Sequence, residues 1–342
     1  MDKNSIIGFV LIAAVLIGFS IYSQPSEQEQ RAAFVKDSTE QANRAKAEKA
    51  VKAAEYKQRQ ALKQKVAEDT TALFHKALVG KAKNVVLSNN KVALTLSTKG
   101  ATVVKAYLKN QKGSKQFVGH NMADRSGKHD DENGVTLFEG QRQSLNYTLV
   151  AKELNISTAD LYFTPSAVTD STVTLTADAG QGKTLVFNYR LGKNYMLHLD
   201  IKATGMSGLF DPNASRINVD WHETVRQQER GFNFENRYAR LDWKNTDGGT
   251  DYLSEASSKQ ETVDERMDWV AFKNQFFSTV IISKDGFEKG ADLESTVYNK
   301  ESQDNWKVRY LKDFKANMKT AFDPSGKKAT ELEFYYGPND FY

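Results

Sequence analysis

Five histidines, His75, His120, His129, His198 and His222, are the side chains best suited to acid–base or metal chemistry in this chain. None stands at a ligand spacing such as HExxH. His198 shares the polar positions of an alternating segment with Asp200 and Lys202, and His222 lies between Trp221 and Glu223. A histidine and a glutamate within reach of one sugar ring could act as acid and base in an isomerase built on a β-sandwich. The run Asp124–Gly134, DRSGKHDDENG, gathers carboxylates that a cation would attract, but its makeup is that of an exposed polar loop. Cysteine is absent, which excludes disulfides, thiol nucleophiles and thiolate metal sites. No GxSxG, phosphate-loop or zinc-deaminase pattern occurs. The histidines are therefore read as solvated or structural. No catalytic residue, metal ligand or cofactor is expected, and the chain is read as something other than an enzyme.

The elements that carry these residues are strands. From Asn84 onward the apolar period is two. NVVLSNNKVALTLSTKGATVVKAYLKN reads as three strands with turns at Asn89-Asn90 and Lys99-Gly100. Val173, Leu175 and Ala177 share one face of the next segment, and Leu185, Phe187 and Tyr189 one face of another. Tyr195, Leu197, Leu199 and Ile201 follow the same rule, as do Ile217, Val219 and Trp221. STVII, WKVRYL and LEFYYG continue it toward the C-terminus. Many short strands without a strand–helix rhythm predict an all-β sandwich or barrel. At 342 residues, 39% hydrophobic and 26% charged, the chain can bury a sizeable core. Its net charge of +4 argues against a dedicated nucleic-acid binder.

The beginning of the chain is different. No charge occurs from Asn4 to Ser26, and Ile6–Tyr22 is almost wholly apolar. Roughly 20 residues of helix cross a bilayer core of about 30 Å, so residues 1–24 predict a transmembrane anchor. Its residues include Ile6, Ile7, Phe9, Leu11, Val15, Leu16, Phe19, Ile21 and Tyr22. A cleaved signal peptide is the competing reading; FSIYSQP offers no good small-residue cleavage site. Residues 25–83 predict a basic helical linker. Between Arg31 and Lys83, 13 Lys/Arg stand against six Asp/Glu, with Ala, Gln, Glu and Lys prominent. It closes with TTALFHKALVG, a short helix whose Leu73, Phe74, Ala77 and Leu78 would dock on the β domain of residues 84–342. The charges flanking the anchor leave its orientation open, because the positive-inside rule weakens for long translocated domains.

WVAFKNQFF, Trp269–Phe277, holds four aromatic rings in nine residues. We expect a break at Lys273–Gln275 with the strand resuming at Phe276, and read the stretch as core, Phe276 included, with a partner- or membrane-facing patch as the alternative. Trp269, Phe272, Phe276 and Phe277, with Tyr335, Tyr336, Gly337 and Pro338, are the candidate structural or interface residues.

Several stretches in order resemble the YidC-type membrane protein insertases of Gram-negative bacteria. They are the anchor MDKNSIIGFVLIAAVLIGFSIYSQP, LSTKGATVVKAYLKNQK, ERGFNFENRYARLDW, WVAFKNQFFSTVII and the ending EFYYGPNDFY. The resemblance implies an uncleaved anchor with a cytoplasmic amino terminus. It implies a periplasmic β-supersandwich similar to sugar mutarotases, closed by short C-terminal helical structure, at the bacterial inner membrane. The implied partners are inner-membrane lipid, nascent membrane proteins and components of the Sec translocon, and the implied role is insertion and folding of inner-membrane proteins. The family's bundle of five further transmembrane helices has no counterpart before Tyr342, so the chain resembles the N-terminal part of such a protein. The alternative kept beside this is a membrane-tethered sugar-binding or mutarotase-like sandwich.

Overall fold

Alternation of apolar and polar side chains makes a strand bury one face, and two such faces must meet. The computed structural model describes residues 73–109, 111, 134–151, 155–210, 216–228, 231–298 and 309–339. The anchor of residues 1–24, the linker to residue 72, His120, His129 and the acidic run up to residue 133 lie outside the described residues. Among the described residues no helix is long and apolar enough to cross a membrane.

Nineteen strands are described. The first four, β1 (Asn84–Ser88), β2 (Val92–Ser97), β3 (Thr102–Lys109) and β4 (Gly134–Glu139), form an antiparallel sheet in chain order. β5 (Gln143–Val150), β6 (Asn155–Ser157), β7 (Thr164–Ser166), β8 (Thr172–Gly180), β9 (Lys183–Leu191), β10 (Met196–Thr204) and β11 (Arg216–Arg226) follow. A seven-residue helix, α1 (Phe232–Tyr238), comes next. Then come β12 (Arg240–Asn245), β13 (Thr250–Tyr252), β14 (Lys259–Val263), β15 (Met267–Lys273), β16 (Phe277–Phe287), β17 (Ala291–Val297), β18 (Tyr310–Ala321) and β19 (Thr330–Pro338).

These fifteen later strands are one hydrogen-bonded sheet folded back on itself. One layer runs β14-β17-β18-β11-β5-β6, and the other β13-β12-β15-β16-β19-β10-β9-β8-β7. Between β16 and β18, where the layers join, the register holds the single pair Phe287↔Thr320. Aromatic side chains lock the layers together. Trp221 of β11 stacks on Phe272 of β15 with centroids 3.6 Å apart, and Phe314 of β18 tilts against Phe272 at 5.3 Å. Tyr147 of β5 meets Phe187 of β9 edge-on at 5.3 Å. The four-stranded sheet joins through Phe138, 5.8 Å from Tyr336, and through Tyr189, whose hydroxyl donates to the Ala101 carbonyl at 2.7 Å. The buried apolar residues form one continuous core, so the described body is an all-β sandwich.

The strands and turns expected over 84–109 form as read, and Val173, Leu175, Leu185, Phe187, Ile217, Val219 and Trp221 are all buried. The described part of TTALFHKALVG, from Leu73, holds a 3-10 turn at His75–Leu78 with no side-chain cap, and Phe74 and Ala77 enter the core. The expected C-terminal helical closure is not found among the described residues: the chain reaches Pro338 as strand β19, and the one described α-helix is α1.

Candidate functional site

The two histidines carried by described strands lie on the two outer faces. His198 of β10 lies on one, its Nδ1 3.1 Å from Oε1 of Glu333, which Lys284 also reaches at 3.1 Å. His222 of β11 lies on the other, with Nε2 2.6 Å from Oδ1 of Asp313. Burial draws the Asp313 carboxyl upward, but bonds from His222 and Thr224 outweigh it and hold the group below its usual range. His222 and Glu223 are consecutive on a strand, so they point to opposite faces. Glu223 is buried between the layers and cannot share a substrate with His222. The His222–Glu223 pairing is therefore absent; His198 does meet a glutamate, but on an outer sheet face where Glu333 is shared with Lys284.

WVAFKNQFF is a strand and a tight hairpin. The break falls where expected, but β16 resumes at Phe277 rather than Phe276. Asn274 makes the turn: its amide donates to the Phe277 carbonyl at 2.9 Å, and its Oδ1 accepts from the amides of Phe276 and Phe277 at 2.9 and 2.7 Å. Phe276 therefore sits at the hairpin tip, 42% exposed, and the core role expected for it is wrong. Phe272 and Phe277 are buried. Trp269, in alternation with Val270, faces outward.

Outward residues of four adjacent strands line a shallow groove of about 330 Å³. β15 contributes Trp269, Ala271 and Lys273; β16 contributes Ser278, Val280 and Ile282; β19 contributes Tyr335 and β10 Met196. Register places Ala271, Val280, Tyr335 and Met196 in one row across the sheet, and Trp269 beside Ile282 in the next. Tyr335 is held edge-on to Tyr195 at 5.9 Å, and its hydroxyl donates to the Pro338 carbonyl at 2.6 Å. Gly337 lets these rings approach, because a β-carbon there would lie 2.6 Å from the Tyr335 ring. Tyr336, the next strand neighbour, is buried.

The groove has a charged rim on its β12 side. Asp242, nearly inaccessible, accepts from Arg240 Nε at 2.5 Å and Nη2 at 3.0 Å and from Lys273 Nζ at 3.1 Å. At the hairpin end Asn339 closes it, donating from its amide to the Phe276 carbonyl at 2.7 Å and from Nδ2 to the Asn274 and Gln275 carbonyls. An apolar floor with a fixed polar rim takes up apolar side chains and orients their polar surroundings. It holds no nucleophile aligned with a base. Among the described residues no group of three metal-binding side chains is assembled.

Of the candidate residues, the structure thus brings Trp269 and Tyr335 to one groove, uses Gly337 and Pro338 to position Tyr335, buries Phe272, Phe277 and Tyr336, and exposes Phe276. The reading of the sequence missed Met196, Val280, Ile282, Asp242 and Asn339. A signal was present in STVII: a strand apolar on both faces has a second face to cover.

The profile of the family described as YidC periplasmic domain matches residues 84–342. A membrane protein insertase YidC of Phocaeicola vulgatus is 39% identical over 343 residues, spanning 100% of this chain and 51% of that protein. One from Bacteroides fragilis is 38% identical over 349 residues, spanning 100% of this chain and 52% of that protein. The chain thus spans about half the length of these relatives. Among solved structures, a putative aldose 1-epimerase from Escherichia coli K12 aligns with 75% of this chain and 100% of its own at a TM-score of 0.40 and 10% identity. At that score the likeness carries no inference about activity.

Proposed function

This chain belongs to the YidC periplasmic domain family, and from that membership we propose that it is the anchor and periplasmic part of a membrane protein insertase. In this reading residues 1–24 span the inner membrane with the amino terminus in the cytoplasm, 25–83 link, and 84–342 form a binding and positioning domain in the periplasm. It serves insertion and folding of inner-membrane proteins, alone or beside Sec translocon components, and is not an enzyme.

The observation that carries the positioning role is the groove. Trp269, Val280, Ile282 and Met196 present apolar surface on the outside of a sheet whose inner face already fills the core. A groove that shallow holds an apolar segment briefly, which suits a protein that must release what it holds. The test is photocrosslinking in cells. A photoreactive residue at Ile282 should capture membrane proteins during their synthesis, and one at Val186, outward on the far strand β9, should not. Equal yields at the two positions would remove the groove from the proposal.

A further inference from the structure

The exposed aromatic residues described in this protein are not scattered. Phe234, Tyr238, Tyr252 and Phe276 are 54, 50, 46 and 42% exposed, and all four belong to the elements around the start of β12. Phe234 and Tyr238 lie one turn apart on α1 and meet edge-on at 5.1 Å. Two residues after Tyr238, Arg240 covers the Tyr252 ring at 4.1 Å and pairs in register with Lys273, the last residue of β15. Phe276 tips the hairpin that begins there, and Asn339 ties the end of β19 to the same hairpin. The exposed aliphatic residues, Val79, Val86, Val150 and Val168, belong to other elements.

We propose that this aromatic corner rests in the headgroup layer of a bilayer, with Phe276, Phe234 and Tyr238 as its inserted side chains. Two observations select lipid. Aromatic rings flanked by arginine and lysine have the composition of a membrane–water interface. The charge at the corner is balanced: Arg240 and Lys273 are engaged by Asp242, exposed Arg237 lines one cavity with Asp251, Glu255 and Lys259, and Lys259 pairs with Glu261. The contact is therefore an aromatic partition, largely insensitive to salt, rather than an attraction to anionic lipid. The apolar run Ile6–Tyr22 supplies the tether, because a domain held near a surface needs little intrinsic affinity to stay on it. The proposal rests on the anchor reading of that run and is independent of what the groove binds.

The absence of cysteine makes the test direct. Single variants F276C, F234C and V168C of the full chain are labelled with an environment-sensitive fluorophore and reconstituted in zwitterionic vesicles containing headgroup-level nitroxide lipid. Co-flotation reports the anchor, and thermal melting confirms that each variant folds. The labels at 276 and 234 should shift to the blue and lose most of their emission to the nitroxide, in low and high salt alike, while the label at 168 emits as in water. Emission at 276 and 234 equal to that at 168 overturns the proposal. So does quenching that salt abolishes, or a blue shift that appears only with an added protein. A chain that does not float removes the tether and the proposal with it.

Discussion

Phe276 and Phe277 are neighbours in sequence and occupy opposite environments: Phe276 is 42% exposed at the tip of a hairpin, and Phe277 is 6% exposed in the core. Asn274 causes the split by bonding both of their amides, so that the chain reverses between Lys273 and Ser278.

The two kinds of phenylalanine in WVAFKNQFF should respond differently to truncation. Phe272→Ala removes the ring stacked on Trp221 and tilted on Phe314, and is expected to lower stability by about 3–5 kcal/mol. Phe276→Ala should change it by less than about 0.5 kcal/mol, as a surface substitution does. Urea denaturation of both variants checks this. A large loss at Phe276 would contradict the hairpin placement.

Glu223 and Lys312 together should contribute a minimum in stability near pH 8. Burial pushes the Glu223 carboxyl up to about 8, against a lowering bond from Thr279. The folded chain then keeps a proton that the unfolded chain releases near 4.5, so stability falls as pH rises between those values. The slope is at most about 1.4 kcal/mol per pH unit. Lys312 behaves in the opposite sense. Its Nζ is buried, donating to the Ala239 and Glu255 carbonyls, and desolvation lowers it from 10.5 to about 8. Between about 8 and 10.5 the unfolded chain binds the extra proton, and stability rises again. Glu223→Gln should flatten the falling limb in denaturation measured from pH 5 to 8; an unchanged slope would assign it elsewhere.

Sugar chemistry should be absent. His198 and His222 face opposite sides, and Oε1 of Glu333 is shared by His198 and Lys284. Polarimetry with glucose or galactose should give the anomerisation rate of buffer alone, with wild type and Glu333→Gln indistinguishable. A rate above buffer that Glu333→Gln abolishes would revive the isomerase reading.

Much of the fold was legible in the sequence because two-residue alternation is local. Val173, Leu185, Ile217 and their partners declare a buried face without knowledge of what covers it. The groove was half legible. Trp269 and Tyr335 stand out by type, but Met196 and Val280 join them only through register, which depends on strands distant in sequence. Phe276 was misread because one asparagine turned an extended pattern into a hairpin. Glu223 and Lys312 gave no signal, since a charged residue on an alternating strand looks the same whether its face is buried or wet.

On the proposed reading of residues 1–24 as an anchor, residues 1–342 expressed alone should not restore membrane-protein insertion in cells depleted of their own insertase, because one anchor and a sandwich would give a nascent helix no polar path into lipid. Assays of membrane-protein integration check this; restored integration would show that residues 1–342 suffice.

The most direct test of the groove is the affinity of the full chain, held in nanodiscs, for a fluorescent apolar transmembrane peptide. Val280→Arg places a charge in the middle of the groove floor, and Val186→Arg places one on the same outer face at β9. Fluorescence anisotropy should give at least about a tenfold weaker Kd for Val280→Arg, a difference of about 1.4 kcal/mol, and an unchanged Kd for Val186→Arg. Equal affinities for wild type and both variants would contradict the account.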